Sequence, residues 1–236
     1  MHLTTEGIVI QTIRHTDNKL IVRLLCKEIG YKSCVIRNSR RPNASMHHIF
    51  QPLRIIEFDC NFQEVNKFIT PLSPRLVSPL HNLGTDPVKI AIAFFMNELL
   101  AKTLAEDYGN DSLFEFLKNS IILLDDAVDV KNFHVWWLIE ITRHYGFYPM
   151  KSSGQYFDLR QGLFVDATPG HPDYLASEVT EVLHQLLDLE WPQAQQIELH
   201  SSIRRELLQA LVTYLKLHLS NLREIKSLDV LHAVFH

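Results

Sequence analysis

From Glu6 to about Val77 the apolar positions recur with the period of a strand, and beyond Asp86 they recur with the period of a helix. The clearest strand is Lys19 to Lys27 (KLIVRLLCK), with Leu20, Val22, Leu24 and Cys26 on one face and Lys19, Arg23 and Lys27 on the other beside Ile21 and Leu25. Glu6 to His15 is rich in β-branched residues and reads as the strand before it. Glu28-Ile29-Gly30-Tyr31 predicts a hairpin turn, Gly30 supplying the positive φ, and Lys32 to Arg37 is the returning strand. Asn38 to His48 is polar and reads as a loop carrying Arg40, Arg41 and Pro42. Leu53 to Cys60 and Lys67 to Val77 complete about five strands, which in so short a span suggest a small closed barrel.

The period changes near Ser78-Pro79 to Thr85, which divides the chain into 1–80 and 81–236. Asp86-Pro87 is a cap followed by proline at the first helical position. Helices are predicted over Val88 to Ala105, Asp111 to Val128, Lys131 to Tyr145 with Gly146 as C-cap, Pro172 to Leu189, Ser201 to Leu219, and Ser227 to Phe235 with Ser227 as cap. Between them Tyr156 to Asp166 reads as an isolated hairpin.

Composition narrows the function by exclusion. At 236 residues, 46% hydrophobic and 21% charged, the chain is composed like an ordinary packed protein of one large or two small domains. Its 8 glycines all lie at least eight positions apart, so no dinucleotide loop, P-loop or nucleophile elbow is present. Cys26, Cys34 and Cys60 form no C-x-x-C pair, and their odd number points to a reducing, intracellular compartment. The 13 histidines include no H-E-x-x-H, and His47-His48 read as loop residues. Leu207 to Leu215 is an uncharged, mostly apolar run far too short for a span, and the N-terminus lacks the pattern of a signal peptide. No membrane association and a cytoplasmic location are therefore expected.

Charge then reverses a first impression. The net charge of −4 argues against a nucleic-acid partner. Divided at the change of period, however, residues 1–80 hold 11 basic and 6 acidic residues, net +5, and residues 81–236 hold 12 and 21, net −9. A basic barrel suggests a groove for a phosphate backbone. Arg14, Lys19, Arg23, Lys27, Lys32, Arg37, Arg40 and Arg41 supply the cations, while Tyr31, Phe50, Phe58, Phe62 and Phe68 are aromatics whose usual fate is the core, with base stacking as the other use. In the helical part, Trp136-Trp137 and Phe94-Phe95 each predict one core residue and one at an edge. Asp125, Asp126 and Asp129 read as a solvated helix terminus rather than a metal cluster, and no catalytic carboxylate pair is visible.

Taken together, several pieces resemble the bacterial RecO family of recombination mediators. They are Gly7-Ile8-Val9-Ile10, Asp17-Asn18-Lys19-Leu20-Ile21-Val22-Arg23-Leu24-Leu25, the Glu28-Ile29-Gly30 turn, Arg40-Arg41 and Phe50-Gln51-Pro52-Leu53. Asn97-Glu98-Leu99-Leu100, His144-Tyr145-Gly146-Phe147-Tyr148-Pro149 and Lys226-Ser227-Leu228-Asp229-Val230-Leu231 continue the match nearly to the end. The resemblance implies an α+β chain: a five-stranded OB-fold barrel, then an all-helical domain with one small β-hairpin. It further implies binding of single- and double-stranded DNA, annealing of complementary strands, and loading of RecA onto DNA coated by single-strand binding protein (SSB), with RecR as partner. The acidic C-terminal tail of SSB would dock on the helical domain. Neither catalysis nor a nucleotide cofactor is implied, and the location would be nucleoid-associated.

On this resemblance Lys19, Arg23, Lys32, Arg37, Arg40 and Arg41 are the expected phosphate contacts. Lys102, Arg143, Arg204 and Arg205 are candidates for the SSB tail by charge and helix position, with ordinary surface ion pairs as the plainer reading. Two departures stand out. Many relatives carry a four-cysteine zinc site just after the Gly146 region, whereas residues 147–170 here hold no cysteine, so no zinc is expected. Arg37-Asn38-Ser39 also stands where relatives often have a Lys-Gly stretch. The alternative from another class is a non-catalytic adaptor whose basic barrel binds an acidic protein partner.

Overall fold

A computed structural model of the chain describes residues 2–16, 19–37, 48–63, 68–104 and 111–235. They form two compact units, Met1–Asp86 with Asn97–Asp126, and Pro87–Met96 with Ala127–His236.

The first unit is built on strands β1 (His2–Thr16), β2 (Lys19–Cys26), β3 (Gly30–Arg37), β4 (Ile55–Asn61), β5 (Phe68–Ile69) and β6 (Leu72–Leu76), in the order β5-β3-β2-β1-β4-β6. Gly30 has φ 71°, as the β2–β3 turn requires. The expected single strand over 67–77 is two. Pro71 has no N–H to give to a ladder, and the segment breaks there. Its first piece pairs in parallel with β3 and its second antiparallel with β4. One short segment thus satisfies both edges of the sheet and curls it into a barrel, the arrangement of an OB-fold.

The interior is filled by Val9, Leu20, Val22, Leu24, Cys26, Cys34, Ile36, Phe50, Ile56, Phe58, Cys60 and Ile69. The three cysteines are part of this core, and burial first, then one another's charge, raises the pKa of Cys26 and Cys34, which keeps those thiols inert. A bulge between Val9 and Gln11 inserts Ile10 and exchanges the faces of β1. Val9 pairs with inward Leu24 before the bulge, and Thr12 pairs with inward Val22 after it. The outer face carries a second apolar row, Ile55–Ile8–Leu25–Tyr31, linked by cross-strand pairs and fully buried.

The rest of this unit comes from the part of one helix after Met96 and from the helix that follows it. Helix α1 (Pro87–Thr103) begins at the proline predicted to open it, and helix α2 spans Asp111–Asp126. Glu115 and Lys118, one turn apart on α2, bind Lys27 at 2.7 Å and Glu6 at 2.5 Å, which holds the helix against the outer face of the barrel. The Lys27–Glu115 hydrogen bond raises the lysine pKa and lowers that of the glutamate. Asp125 is not solvated as its place in an acidic run suggested. Buried at the end of α2, it accepts from the backbone N–H groups of His81, Asn82 and Leu83 at 3.0, 2.8 and 2.6 Å, while Asn82 Nδ2 donates to its carbonyl at 2.9 Å. Three convergent N–H groups form a cradle for one carboxylate.

The second unit contains α3 (Phe133–Tyr145), α4 (Ser177–Leu186), α5 (Trp191–Ala194), α6 (Ser201–His218) and α7 (Ser227–Val234). Helix α3 ends in a Schellman motif: Gly146 has φ 85°, its N–H reaches Arg143 O, and the N–H of Phe147 reaches Thr142 O. Ser227 is the first residue of α7 rather than its cap, a position Lys226 takes. Trp136 is not at an edge either. Together with Phe133 it packs against Trp191 of α5, a one-turn helix with no sequence period, and its Nε1 donates to Leu189 O at 2.9 Å.

The predicted hairpin is present as β7 (Tyr156–Asp158) and β8 (Leu163–Val165), but it has a third strand, β9 (Tyr174–Ala176). The helix expected from Pro172 therefore starts only at Ser177, because the backbone before it pairs with β7. Asp158, buried, accepts from the N–H groups of Arg160 and Gln161, from Gln161 Nε2, and from His171 Nε2 at 3.2 Å. A carboxylate thus ties this loop, and among the described residues no three His, Cys, Asp or Glu side chains are placed together to hold a metal ion.

Two outcomes follow from these buried polar groups. Asp125→Ala strands three N–H groups and is expected to lower unfolding free energy by about 2–4 kcal/mol in urea titrations. His134 is buried in α3, and burial first, then the charges of Arg204 and His232, lowers its pKa to about 3. The unfolded chain takes up this proton near pH 6.5 and the folded chain does not, so stability falls as pH drops through that window, by roughly 1.4 kcal/mol per unit. His134→Gln is expected to flatten the dependence of stability on pH between 6.5 and 4, measured against wild type.

Candidate nucleic-acid interface

Cross-strand register turns the basic strands of the barrel into a surface. Beyond the bulge, the outer face carries three rows: Gln11–Arg23–Ser33–Phe68, Ile13–Ile21–Val35, and Thr16–Lys19–Arg37. Residues 11–16, 19–24 and 32–37, which build this end of the wall, contain Arg14, Lys19, Arg23, Lys32 and Arg37 and no carboxylate. Lys19 is exposed and Arg23 half-buried, and neither makes an ion pair among the described residues. Of Arg37 only the backbone register is described, opposite Lys19. Arg40 and Arg41, with the rest of 38–47, lie outside the described residues.

The other cations are placed differently. Lys32 pairs with inward Leu24, on the opposite face of the wall from Arg23, and its Nζ stands 6.0 Å from the centre of the Phe62 ring. Lys27 is engaged by Glu115, and Arg75 is paired with Glu57. The β4 side carries the carboxylates: Glu57 sits across from Glu6, and Asp59 accepts from Thr4 Oγ1 at 2.6 Å. Among the described residues, the basic side chains not paired with a carboxylate therefore include Lys19 and Arg23 toward the far end of β1–β3, while Asp17, between β1 and β2, lies outside the described residues. The aromatics divide too. Tyr31, Phe50 and Phe58 are buried, as expected of such residues, while Phe68 is 54% exposed. Alternation could not have separated them, because β5 has only two residues.

The four cations of the helical part are also unlike one another. Lys102 is bound to Glu98 at 2.6 Å, one turn away. Arg143 stacks on Tyr148, 3.6 Å from the ring centre, between Glu140 and Asp188 at 3.3 and 3.6 Å. Partial burial works against its charge, and Glu140 outweighs that to raise its pKa. Arg204 is only 9% exposed, its guanidinium over Phe235, and burial lowers its pKa against the attraction of Asp129. Arg205 is exposed, beside a groove of about 580 Å³ formed with Pro172, Leu175, Ala210 and His232.

Comparison with known proteins decides the family. The model of the Recombination protein O N terminal matches residues 1–67, and that of the Recombination protein O C terminal matches 84–229. The chain belongs to the RecO family. DNA repair protein RecO of Flavobacterium psychrophilum is 31% identical over 241 residues, and that of Flavobacterium johnsoniae 32% over 240, each covering 100% of both chains. The RecO of Bacteroides fragilis is 30% identical over 98% of both. Among solved structures, Entamoeba histolytica asparaginyl-tRNA synthetase covers 67% of this chain and 36% of its own at 12% identity and a TM-score of 0.27, too slight to bear on the fold. RecO membership assigns the chain a role in DNA repair and recombination. No helix among the described residues is long and apolar enough to cross a membrane.

Proposed function

We propose that this RecO chain is a non-catalytic mediator that holds DNA on the far end of β1–β3. It binds single and double strands through their phosphates, anneals complementary strands and, with RecR, helps load RecA onto SSB-coated DNA. The observation that carries the binding step is the set of Lys19, Arg23 and Arg37 in cross-strand register on strand segments that themselves hold no carboxylate, on the face of an OB-fold that receives oligonucleotides. Arg40 and Arg41 follow Arg37 in the sequence after Asn38 and Ser39, and Lys32 adds a cation on the opposite face of the wall from Arg23. For the acidic tail of SSB, Lys102, Arg143, Arg204 and Arg205 remain the candidates, and of these Arg205 lines a groove with both apolar neighbours (Pro172, Leu175, Ala210) and the carboxylates Asp173 and Glu206.

Phosphate contacts of this kind leave a salt signature. Lys19→Ala and Arg23→Ala are each expected to lower the slope of log affinity against log salt by roughly 0.7 for single strands, measured by fluorescence anisotropy. Lys27→Ala, whose charge is committed to Glu115, is expected to leave that slope at the wild-type value. An Arg40→Glu/Arg41→Glu double variant that bound single strands as tightly as wild type would remove that pair from the interface. Absence of any binding to random-sequence DNA at low salt would favour the adaptor reading instead.

A further inference from the structure

Phe68 is the large aromatic side chain that the barrel leaves outside. It precedes Ile69, which is buried in the interior core, so the alternation of β5 turns Phe68 to the outer face. Parallel pairing fixes it beside Ser33, itself directly across from Arg23. Arg23 and Phe68 are thus two strand spacings apart, about 10 Å between backbones. That is the span of one nucleotide with an arginine side chain reaching to its phosphate. Nothing of opposite charge intervenes, since Ser33 is the residue between them.

We propose that Phe68 is a base-stacking residue, the point at which this surface distinguishes single-stranded from double-stranded DNA. The inference rests on the DNA-binding reading above. The row Gln11–Arg23–Ser33–Phe68 offers a cation for the backbone at one position and a π-face for a base at the other, which is how sequence-tolerant single-strand sites are built. In a duplex the base faces are covered by their neighbours, so Phe68 has nothing to stack on and only the phosphate contacts remain. Backbone pairing on one side and the burial of Ile69 on the other fix the face of the sheet on which the exposed Phe68 side chain lies.

The test compares three labelled probes of equal length at one salt concentration: oligo-dT, a matched duplex, and an abasic sugar-phosphate strand. Phe68→Ala is expected to weaken oligo-dT binding roughly 5- to 100-fold and to change duplex and abasic binding by less than about twofold. Phe68→Leu keeps apolar bulk without the π-face and is expected to behave as Phe68→Ala. Phe68→Trp is expected to retain binding, its emission quenched by oligo-dT beyond the wild-type response. An equal loss on all three probes, no loss on oligo-dT, or a Phe68→Leu variant that binds as wild type would overturn the stacking role and leave the phosphate-binding reading in place. Failure of the wild-type chain to bind any probe at low salt would overturn both.

Discussion

A barrel wall with an apolar row on its outer side cannot stand alone in water, and that constraint organises the first unit. Ile55, Ile8, Leu25 and Tyr31 run across four strands facing away from the interior, and all are buried. Large side chains of this kind contribute roughly 1.5–3 kcal/mol each when fully covered. Helix α2 is held over that face by Glu115 on Lys27 and Lys118 on Glu6, two pairs partly withdrawn from solvent. Its far end is fixed by Asp125 in the N–H groups of residues 81–83, so the segment leaving the barrel is gripped by the helix that covers it.

The same arrangement sorts the cations. Lys27 belongs by sequence to the alternating set Lys19, Arg23, Lys27, yet the end of the strand nearest the hairpin lies under α2 and its charge is spent on Glu115. Lys19 and Arg23, four to eight residues away on the same outer face, are exposed and half-buried respectively, with no carboxylate bound among the described residues. A bound strand would follow the exposed half of the face, with aliphatic Ile13, Ile21 and Val35 between two basic rows. Acidic Glu57 and Asp59, across the barrel on β4, are paired with Arg75 and Thr4.

Much of this was legible in the residues. Strict alternation in KLIVRLLCK identified β2 and both of its faces, Gly30 and Gly146 marked a turn and a helix end, and Pro87 marked a start. Less was legible where the determining partner is distant in sequence. The bulge at Ile10 moves Arg14 and Ile13 to faces that simple alternation does not predict, because two β1 residues oppose one on β2. Tyr174–Ala176 is extended because β7 lies beside it, and α5 exists to place Trp191 on Phe133 and Trp136. Neither leaves a periodic trace in its own few residues.

The sequence by itself determined the two periods, most of the elements of each part, the concentration of positive charge in residues 1–80 and, through the order of its motifs, the family. Those properties are local, or sums over the chain, and need no knowledge of what touches what. Only the tertiary structure decided that Lys27 is engaged by Glu115, that Lys32 and Arg23 lie on opposite faces, that Asp125 is buried, and that Phe68 alone among the barrel's candidate aromatics is more than half exposed. Each of these depends on register and on which face a helix covers. Register is set by pairing between strands far apart in sequence, and one inserted residue reverses it.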